Sequence, residues 1–310
     1  MIQVQHLINL FGSFRAVDDV TFEVQKGEVL GFLGPNGAGK STTMRMLTGF
    51  FPPTSGTAQI NGFDIIKNSL EAKRQIGYLP ENAPVYPDMT VEGYLKFIAE
   101  VRGFSGSELK KKVSRAVEIC SLEKVLPQTV DTLSKGYKQR VCFAQAILPD
   151  PPVLILDEPT DGLDPNQKFE VRRMISSMAE NKCVILSTHI LEEVDAVCTR
   201  AIIISNGKIV ANGSPEELKR RSSLYEAVTV SLDDAPKDEA VNAISALANV
   251  AKVEVLKEQE GSLVLRALPA DGNIIAPAVA EEIRRRGWRS TQFHVEEGRL
   301  DEVFRNITRQ

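Results

Sequence analysis

The chain has no apolar run near the ~20 residues that span a bilayer as a helix; its greasiest stretches, Val29 to Gly34, Val153 to Leu156 and Ala201 to Ile204, are strand-sized. Cysteine is scarce. Cys120, Cys142, Cys183 and Cys198 include no C-x-x-C pair and no metal-ligand spacing, which excludes zinc-finger and disulfide-scaffold classes and leaves reduced, packed thiols as the expectation. The start, Met1 to Leu10, lacks the basic flank and long apolar core of a secretory leader, so a cytosolic chain is expected. A strong excess of one charge is missing too. The formal net charge of −4 divides into −1 for residues 1–220 (25 basic, 26 acidic) and −3 for 221–310 (12 basic, 15 acidic), and neither part is a nucleic-acid binder by composition. Two short basic runs, Lys110 to Lys112 and Arg284 to Arg286, read as solvated helix faces. What is present is globular: 43% hydrophobic and 25% charged residues over 310 positions, enough for two domains.

Periodicity predicts strands at Gln3 to Leu10, Thr21 to Val24 and Val29 to Leu33, then a helix from Ser41 to Thr48, ended by the breaker run Phe51 to Gly56. From about residue 84 to 150 the pattern turns helical, at Val91 to Arg102, Gly106 to Cys120 and Tyr137 to Leu148, and reads as an inserted helical subdomain. Strand and helix then alternate through Val153 to Leu156, Asn166 to Glu180, Val184 to Ser187, Leu191 to Val197 and Ala201 to Ile204, which is an α/β core. A polar stretch near Lys219 to Ser223 suggests a boundary, giving domains at 1–220 and 224–310. The second reads βαββαβ, a small α+β ferredoxin-like arrangement, with a hairpin around Glu260-Gly261 and a closing helix from Leu300 to Thr308.

Gly34-Pro35-Asn36-Gly37-Ala38-Gly39-Lys40-Ser41 fits G-x-x-x-x-G-K-S/T between a buried strand and a helix, the context in which this P-loop pattern cradles phosphate. Its glycines allow backbone N–H groups to turn inward, and the helix start adds the positive end of its dipole. Lys40 would neutralise β- and γ-phosphate charge, and the Ser41 hydroxyl would ligate Mg²⁺. Phosphoryl transfer also needs a metal-holding carboxylate and a base for water. Asp157 and Glu158 offer both, emerging where the strand Val153 to Leu156 ends. Asn181-Lys182-Cys183-Val184 lacks the aspartate of a guanine-reading N-K-x-D, so GTP loses support.

Leu133-Ser134-Lys135-Gly136-Tyr137, 24 residues before Asp157, resembles the signature motif L-S-G-G-Q of ATP-binding cassette (ABC) proteins. The resemblance covers about residues 1–220. It extends to Asp161-Gly162-Leu163-Asp164 as the D-loop and to His189, 31 residues after Glu158, as the switch histidine. It implies a P-loop NTPase fold, a head-to-tail homodimer sandwiching two ATP, and ATP contacts from Gly34, Asn36, Gly37, Gly39, Lys40, Ser41, Thr42 and Glu81. Ser134 and Gly136 are implied to reach the nucleotide of the opposite subunit and Asp164 to contact nucleotide, with Glu158 and His189 catalytic and Ser41, Asp157 and Glu81 on the metal. Phe11 would stack on adenine, with Phe14 as the competing candidate. Three positions depart from the family: Lys135 for Gly, Tyr137 for Gln, and Glu81 where Gln is usual.

Glu81, the short loop after it and the extra C-terminal domain resemble the ABC-2 type exporter ATPases, including gliding-motility-associated and drug-resistance relatives. That implies an ATPase on the inner face of the membrane, bound to integral membrane permease subunits and to no nucleic acid. The permease would dock between the helical subdomain and the segment Glu81 to Phe97. The alternative is a non-transport ABC ATPase acting on nucleic acid or ribosomes, although the coiled coils, zinc clusters or second cassette usual there are missing. For the C-terminal domain the expectation is self-association through its open sheet face, tethering the dimer between turnovers.

Overall fold

Apolar runs without polar interruption must be covered on both faces, and the computed structural model, which describes residues 1–82, 84–259 and 261–308, places them side by side in one sheet. In chain order the first compact unit contains β1 (Ile2–Phe11), β2 (Phe14–Val24), β3 (Val29–Leu33), α1 (Lys40–Leu47), β4 (Ser55–Ile60), β5 (Phe63–Asp64), α2 (Ser69–Arg74) and β6 (Ile76–Leu79). There follow α3 (Val91–Val101), α4 (Gly106–Cys120), α5 (Lys135–Ile147), β7 (Val153–Asp157), α6 (Pro165–Ala179), β8 (Cys183–Thr188), α7 (Leu191–Val197), β9 (Arg200–Ser205) and β10 (Lys208–Gly213). The large sheet has the order β10-β9-β3-β8-β7-β6 and is parallel except for β10. Every residue of β3, β7 and β8 is buried, so these strands carry no alternation and their C-terminal ends form one rim.

A second sheet, β2-β1-β4-β5, is antiparallel and largely escapes the sequence reading. Only Thr21 to Val24 was expected of β2, which runs eleven residues. Its register against β1 slips three times, and His6 and Asp19 adopt positive φ, so the alternation that marks a strand is broken. β9 and β10 close through Asn206-Gly207, both at positive φ, the two-residue hairpin turn that twists with its strands. Both polar backbone atoms of Gly207 are used: its carbonyl accepts from Asp18 N at 2.9 Å and its N–H donates to Ala38 O at 3.0 Å.

Helices α3 to α5 lie between β6 and β7 in sequence. Thr90 caps α3 through Gly93 N at 3.1 Å. The chain returns to the sheet through Asp150, at φ +59°, whose carboxylate takes Arg115 Nη1 of α4 at 2.5 Å and Lys182 Nζ at 2.7 Å. Lys182 also donates to Pro151 O at 2.6 Å, so one carboxylate joins the helical segment to the turn before β8.

The second unit holds α8 (Pro215–Lys219), β11 (Tyr225–Asp233), α9 (Lys237–Ser245), β12 (Val250–Gln259), β13 (Ser262–Pro269), α10 (Ala276–Arg286), β14 (Arg289–Glu297) and α11 (Leu300–Thr308). Its antiparallel sheet has the order β12-β13-β11-β14, and Val228, Val230, Leu232, Leu263 and Leu265 form a core with Ile244, Val279 and Ile283 from α9 and α10. Of the expected turn Glu260-Gly261, Glu260 lies outside the described residues. The division between units falls after Ser214, earlier than the 220–224 read from the sequence. The reason is tertiary: α8, with Leu218 fully buried, packs on α11 at the far end of the chain.

The Arg115 guanidinium, with Lys182 beside it, holds the Asp150 carboxyl down at about 2, against an ordinary 3.8. A carboxyl with a depressed folded-state pKa contributes stability that is complete above its unfolded value and is lost as pH falls toward 2. Asp150→Asn should therefore lower the urea midpoint at pH 7, and the deficit should shrink at pH 3. Equal deficits at both pH values, measured by circular dichroism, would remove the ion pairs as its cause.

Candidate functional site

The site begins where β3 runs out at Leu33. A Cβ on Gly34 would stand 2.5 Å from Ile204 O, and one on Gly39 would stand 2.4 Å from Ala16 O, with Gly39 at φ +105°. Only glycine fits either place, so the loop is drawn tightly against β9 and β2 before α1 starts at Lys40. Lys40 is buried, donating to Gly34 O at 2.8 Å and Pro35 O at 3.3 Å, and its Nζ lies 3.6 Å from Glu158 Oε1.

Across the rim, β7 ends in Asp157, wholly buried. Its Oδ1 accepts from the Ser187 hydroxyl of β8 and from Ser41 Oγ at 3.3 Å, while Oδ2 has no partner among the described residues. A buried carboxylate oxygen without a donor is costly unless a cation or water completes it. Among the described residues no three His, Cys, Asp or Glu side chains form a metal cluster. The pair Ser41 and Asp157 therefore fits Mg²⁺, which takes few protein ligands and fills its shell with water and phosphate oxygen.

Glu158 reverses the chain, with φ +48° and its N–H on Ser187 O at 3.0 Å, and this turns its side chain into the space above the loop. Its Oε2 lies 2.8 Å from His189 Nδ1, just beyond β8. Burial pushes the Glu158 carboxyl up, while the neighbouring His189 and Lys40 pull against that rise. With Nδ1 turned to a carboxylate, the other ring nitrogen of His189, a side chain 44% exposed, is free for a further partner.

Nine of the expected residues line a single cavity of about 370 Å³: Phe11, Asn36, Gly37, Gly39, Lys40, Ser41, Thr42, Glu81 and Glu158. Phe14 and Ala16 line it as well. Phe11 and Phe14 face each other across the β1–β2 hairpin, both more than half exposed, so each presents a ring to the cavity and neither is singled out. Gly34, Asp157 and His189 join through the bonds above. Ser134, Gly136 and Asp164 do not line this cavity; they form a second group. Ser134 caps α5 through Tyr137 N at 3.4 Å, and Asp164 caps α6 through Gln167 N at 3.0 Å. Gly136 lies against the Gln167 side chain, where a Cβ would come within 2.5 Å. Lys135, the departure from the signature, reaches Asp161 Oδ2 at 3.5 Å. Sequence reasoning missed Ser187, whose role depends on β8 lying beside β7, and Glu193, buried in α7 with its carboxyl raised by burial.

A glycine-walled loop opening α1, a buried lysine and an Asp-Glu pair on the neighbouring rim define a P-loop nucleoside triphosphatase. The sequence profile of the ABC transporter family matches residues 17–161. The chain is 32% identical over 313 residues to the linearmycin resistance ATP-binding protein LnrL of Bacillus subtilis (strain 168), covering 99% of this chain and 98% of that one. It is 38% identical over 236 residues, 76% of its length, to the "Probable multidrug ABC transporter ATP-binding protein YbhF" of Escherichia coli (strain K12), of which it spans about two fifths (41%). A solved ATP-binding subunit of an ABC transporter superposes with a TM-score of 0.65 at 32% identity, covering 71% of this chain and 92% of that one. The chain belongs to the ABC transporter family.

Gly39→Ala forces a side chain into φ +105° and into the Ala16 carbonyl. The variant should lose ATP affinity by at least about tenfold, the equivalent of ~1.4 kcal/mol, measured by calorimetry. Unchanged binding would show that the loop tolerates opening and is not the phosphate cradle.

Proposed function

We propose that this chain is the ATP-hydrolysing subunit of an exporter, working as a homodimer on the inner face of the membrane beneath integral membrane permease subunits. The observation that carries the catalytic reading is Glu158, fixed between Lys40 and His189 and one residue from the buried Asp157. The adenine would rest on Phe11 or Phe14, and the triphosphate on the N–H groups of the loop from Gly34 to Ser41. Lys40 exchanges its two carbonyl acceptors for β- and γ-phosphate oxygens. Glu158, released from Lys40, takes the proton of the attacking water, while His189 keeps the glutamate oriented through Nδ1. Ser41 and Asp157, with Glu81 at the cavity edge, would hold Mg²⁺, which neutralises developing phosphate charge when bound.

Ser134, Gly136 and Asp164 lie outside the cavity, and in this reading they complete the site of a second copy: the N-terminal end of α5 turns toward its γ-phosphate. Among the described residues no helix is long and apolar enough to cross a membrane, so the transport path is assigned to membrane-spanning subunits. Their docking place would be α3 and the segment before it, where Tyr86 stacks edge-on with Tyr94 and Phe97 at 6.1 and 5.7 Å and Val101 stays exposed. The likeness along the whole chain to a linearmycin-resistance protein supports an export role, and a net charge of −4 gives no support for nucleic acid.

Two variants test this. Glu158→Gln keeps shape and removes the proton acceptor, so hydrolysis should fall by about 10² or more while ATP binding survives and the ATP-bound dimer accumulates on gel filtration with Mg²⁺. Persistent turnover, with only monomer seen, would take Glu158 out of the reaction. Lys40→Ala leaves the phosphate charge unmatched, and calorimetry should show ATP affinity largely lost; intact affinity would reject the cradle.

A further inference from the structure

His189 turns a 44% exposed side chain toward Glu158, so packing does little to hold the ring and its orientation has to come from the backbone around it. That backbone is tied on both sides. The next residue, Ile190, donates its N–H to the Thr188 hydroxyl oxygen at 3.0 Å and accepts at its carbonyl from the Glu193 N–H at 3.2 Å. His189 therefore stands between the end of β8 and the first turn of α7, and a shift of that turn is passed to its ring.

With seven residues, α7 takes its place from tertiary contacts rather than from its own stability. In its first turn Glu193 is 1% exposed, yet neither carboxyl oxygen meets a donor among the described residues. On α6, which packs against α7, Arg172 Nε and Nη2 are likewise buried without an acceptor. Those two nitrogens form one edge of the guanidinium, an edge that takes both oxygens of a carboxylate at once. Two donors on one helix and two acceptors on the next match in number, charge and shape, and each is costly to leave unmatched. They lie beyond hydrogen-bond distance of each other, a gap that a side-chain rotation or one ordered water closes.

The other groups around Glu193 fit this pairing. Burial raises its carboxyl, the Thr188 hydroxyl and Arg172 pull it back, Glu158 raises it and Lys168, one turn before Arg172, lowers it. Lys168 has no buried nitrogen left without a partner among the described residues, so Arg172 is the cation with bonds to give. At the far end of α7 the Cys198 thiol, raised by burial, is raised further by Glu193 and Asp195, and β3, also packed on α7, carries no ionisable side chain.

We propose that Glu193 is a positioning residue for hydrolysis: paired with Arg172, it clamps the start of α7 to α6 and so holds His189 in line with Glu158. Glu193 does not line the nucleotide cavity, and it acts through His189 alone. The consequence for turnover rests on the ATPase reading; the pairing and its effect on His189 do not.

The test uses full-length protein. The chain has three histidines, and nitrogen NMR of the labelled rings follows each, with His6 on β1 and His294 on β14 as internal references. Glu193→Leu should shift the His189 signals and leave the other two in place. Its kcat should fall by about tenfold or more with the KM for ATP unchanged, because the phosphate loop is untouched, and Glu193→Gln, which keeps one acceptor, should recover part of the rate. In urea, Glu193→Leu and Arg172→Leu should each lower the midpoint, and the double variant should lose less than the sum of the two, since either single change leaves the other group buried and unmatched. Should a single variant fail to fold, the double variant, which buries no unmatched charge, carries the ring-signal and kcat readings. His189 signals that stay in place, or urea losses that simply add, would overturn the proposal. A wild-type protein without ATPase activity would sink the ATPase reading instead and leave the ring-signal and urea readings of the pair standing.

Discussion

Asp157 is the constraint on which the nucleotide end of the molecule depends. A carboxylate with no exposure to water is tolerable only if donors surround it, and here they come from separate elements: Ser187 on β8 and Ser41 at the start of α1. The demand for those donors brings three chain segments to one rim, and Glu158 follows from it. The backbone must reverse immediately after Asp157, and the reversal, at φ +48°, delivers the next side chain to Lys40 and His189. The unpaired Oδ2 is the part of the arrangement that protein atoms leave unfinished.

How much of this could be read from the sequence follows from how local each requirement is. The loop from Gly34 to Ser41 is legible because its geometry restricts residue type at single positions, as at Gly39, and β3 and β7 are legible because burial on both faces removes alternation. The antiparallel sheet is legible only in part: β1 is read as Gln3 to Leu10, but the slips of β2 near Asp19 shorten the reading of that strand to Thr21 to Val24, and β4 is held by β1, far back along the chain. Ser187 looks like any strand serine until β8 is placed beside β7, and α8 looks like the end of the cassette until α11, some eighty residues later, is found against it. Phe11 and Phe14 could not be separated because a two-residue hairpin presents both rings together.

The signature segment departs from its family at Lys135, and the structure gives that lysine work within its own chain. Its ammonium approaches Asp161 and passes over Gly162, where a Cβ would collide with it. With Gln167 packed on Gly136 and capped by Asp164, the starts of α5 and α6 form one assembly.

The turn Asn206-Gly207 is a poor place for change, although it is a short surface hairpin of the sort usually chosen for insertions. One residue there, Gly207 at positive φ, accepts from β2 through its carbonyl and donates to the phosphate loop through its N–H. It works as a rivet through two layers, so the wall behind the aromatic rings and the cradle shift together. An affinity tag, a fluorescent label or new termini from circular permutation would disturb the nucleotide end from there, though no atom of the turn lines the cavity.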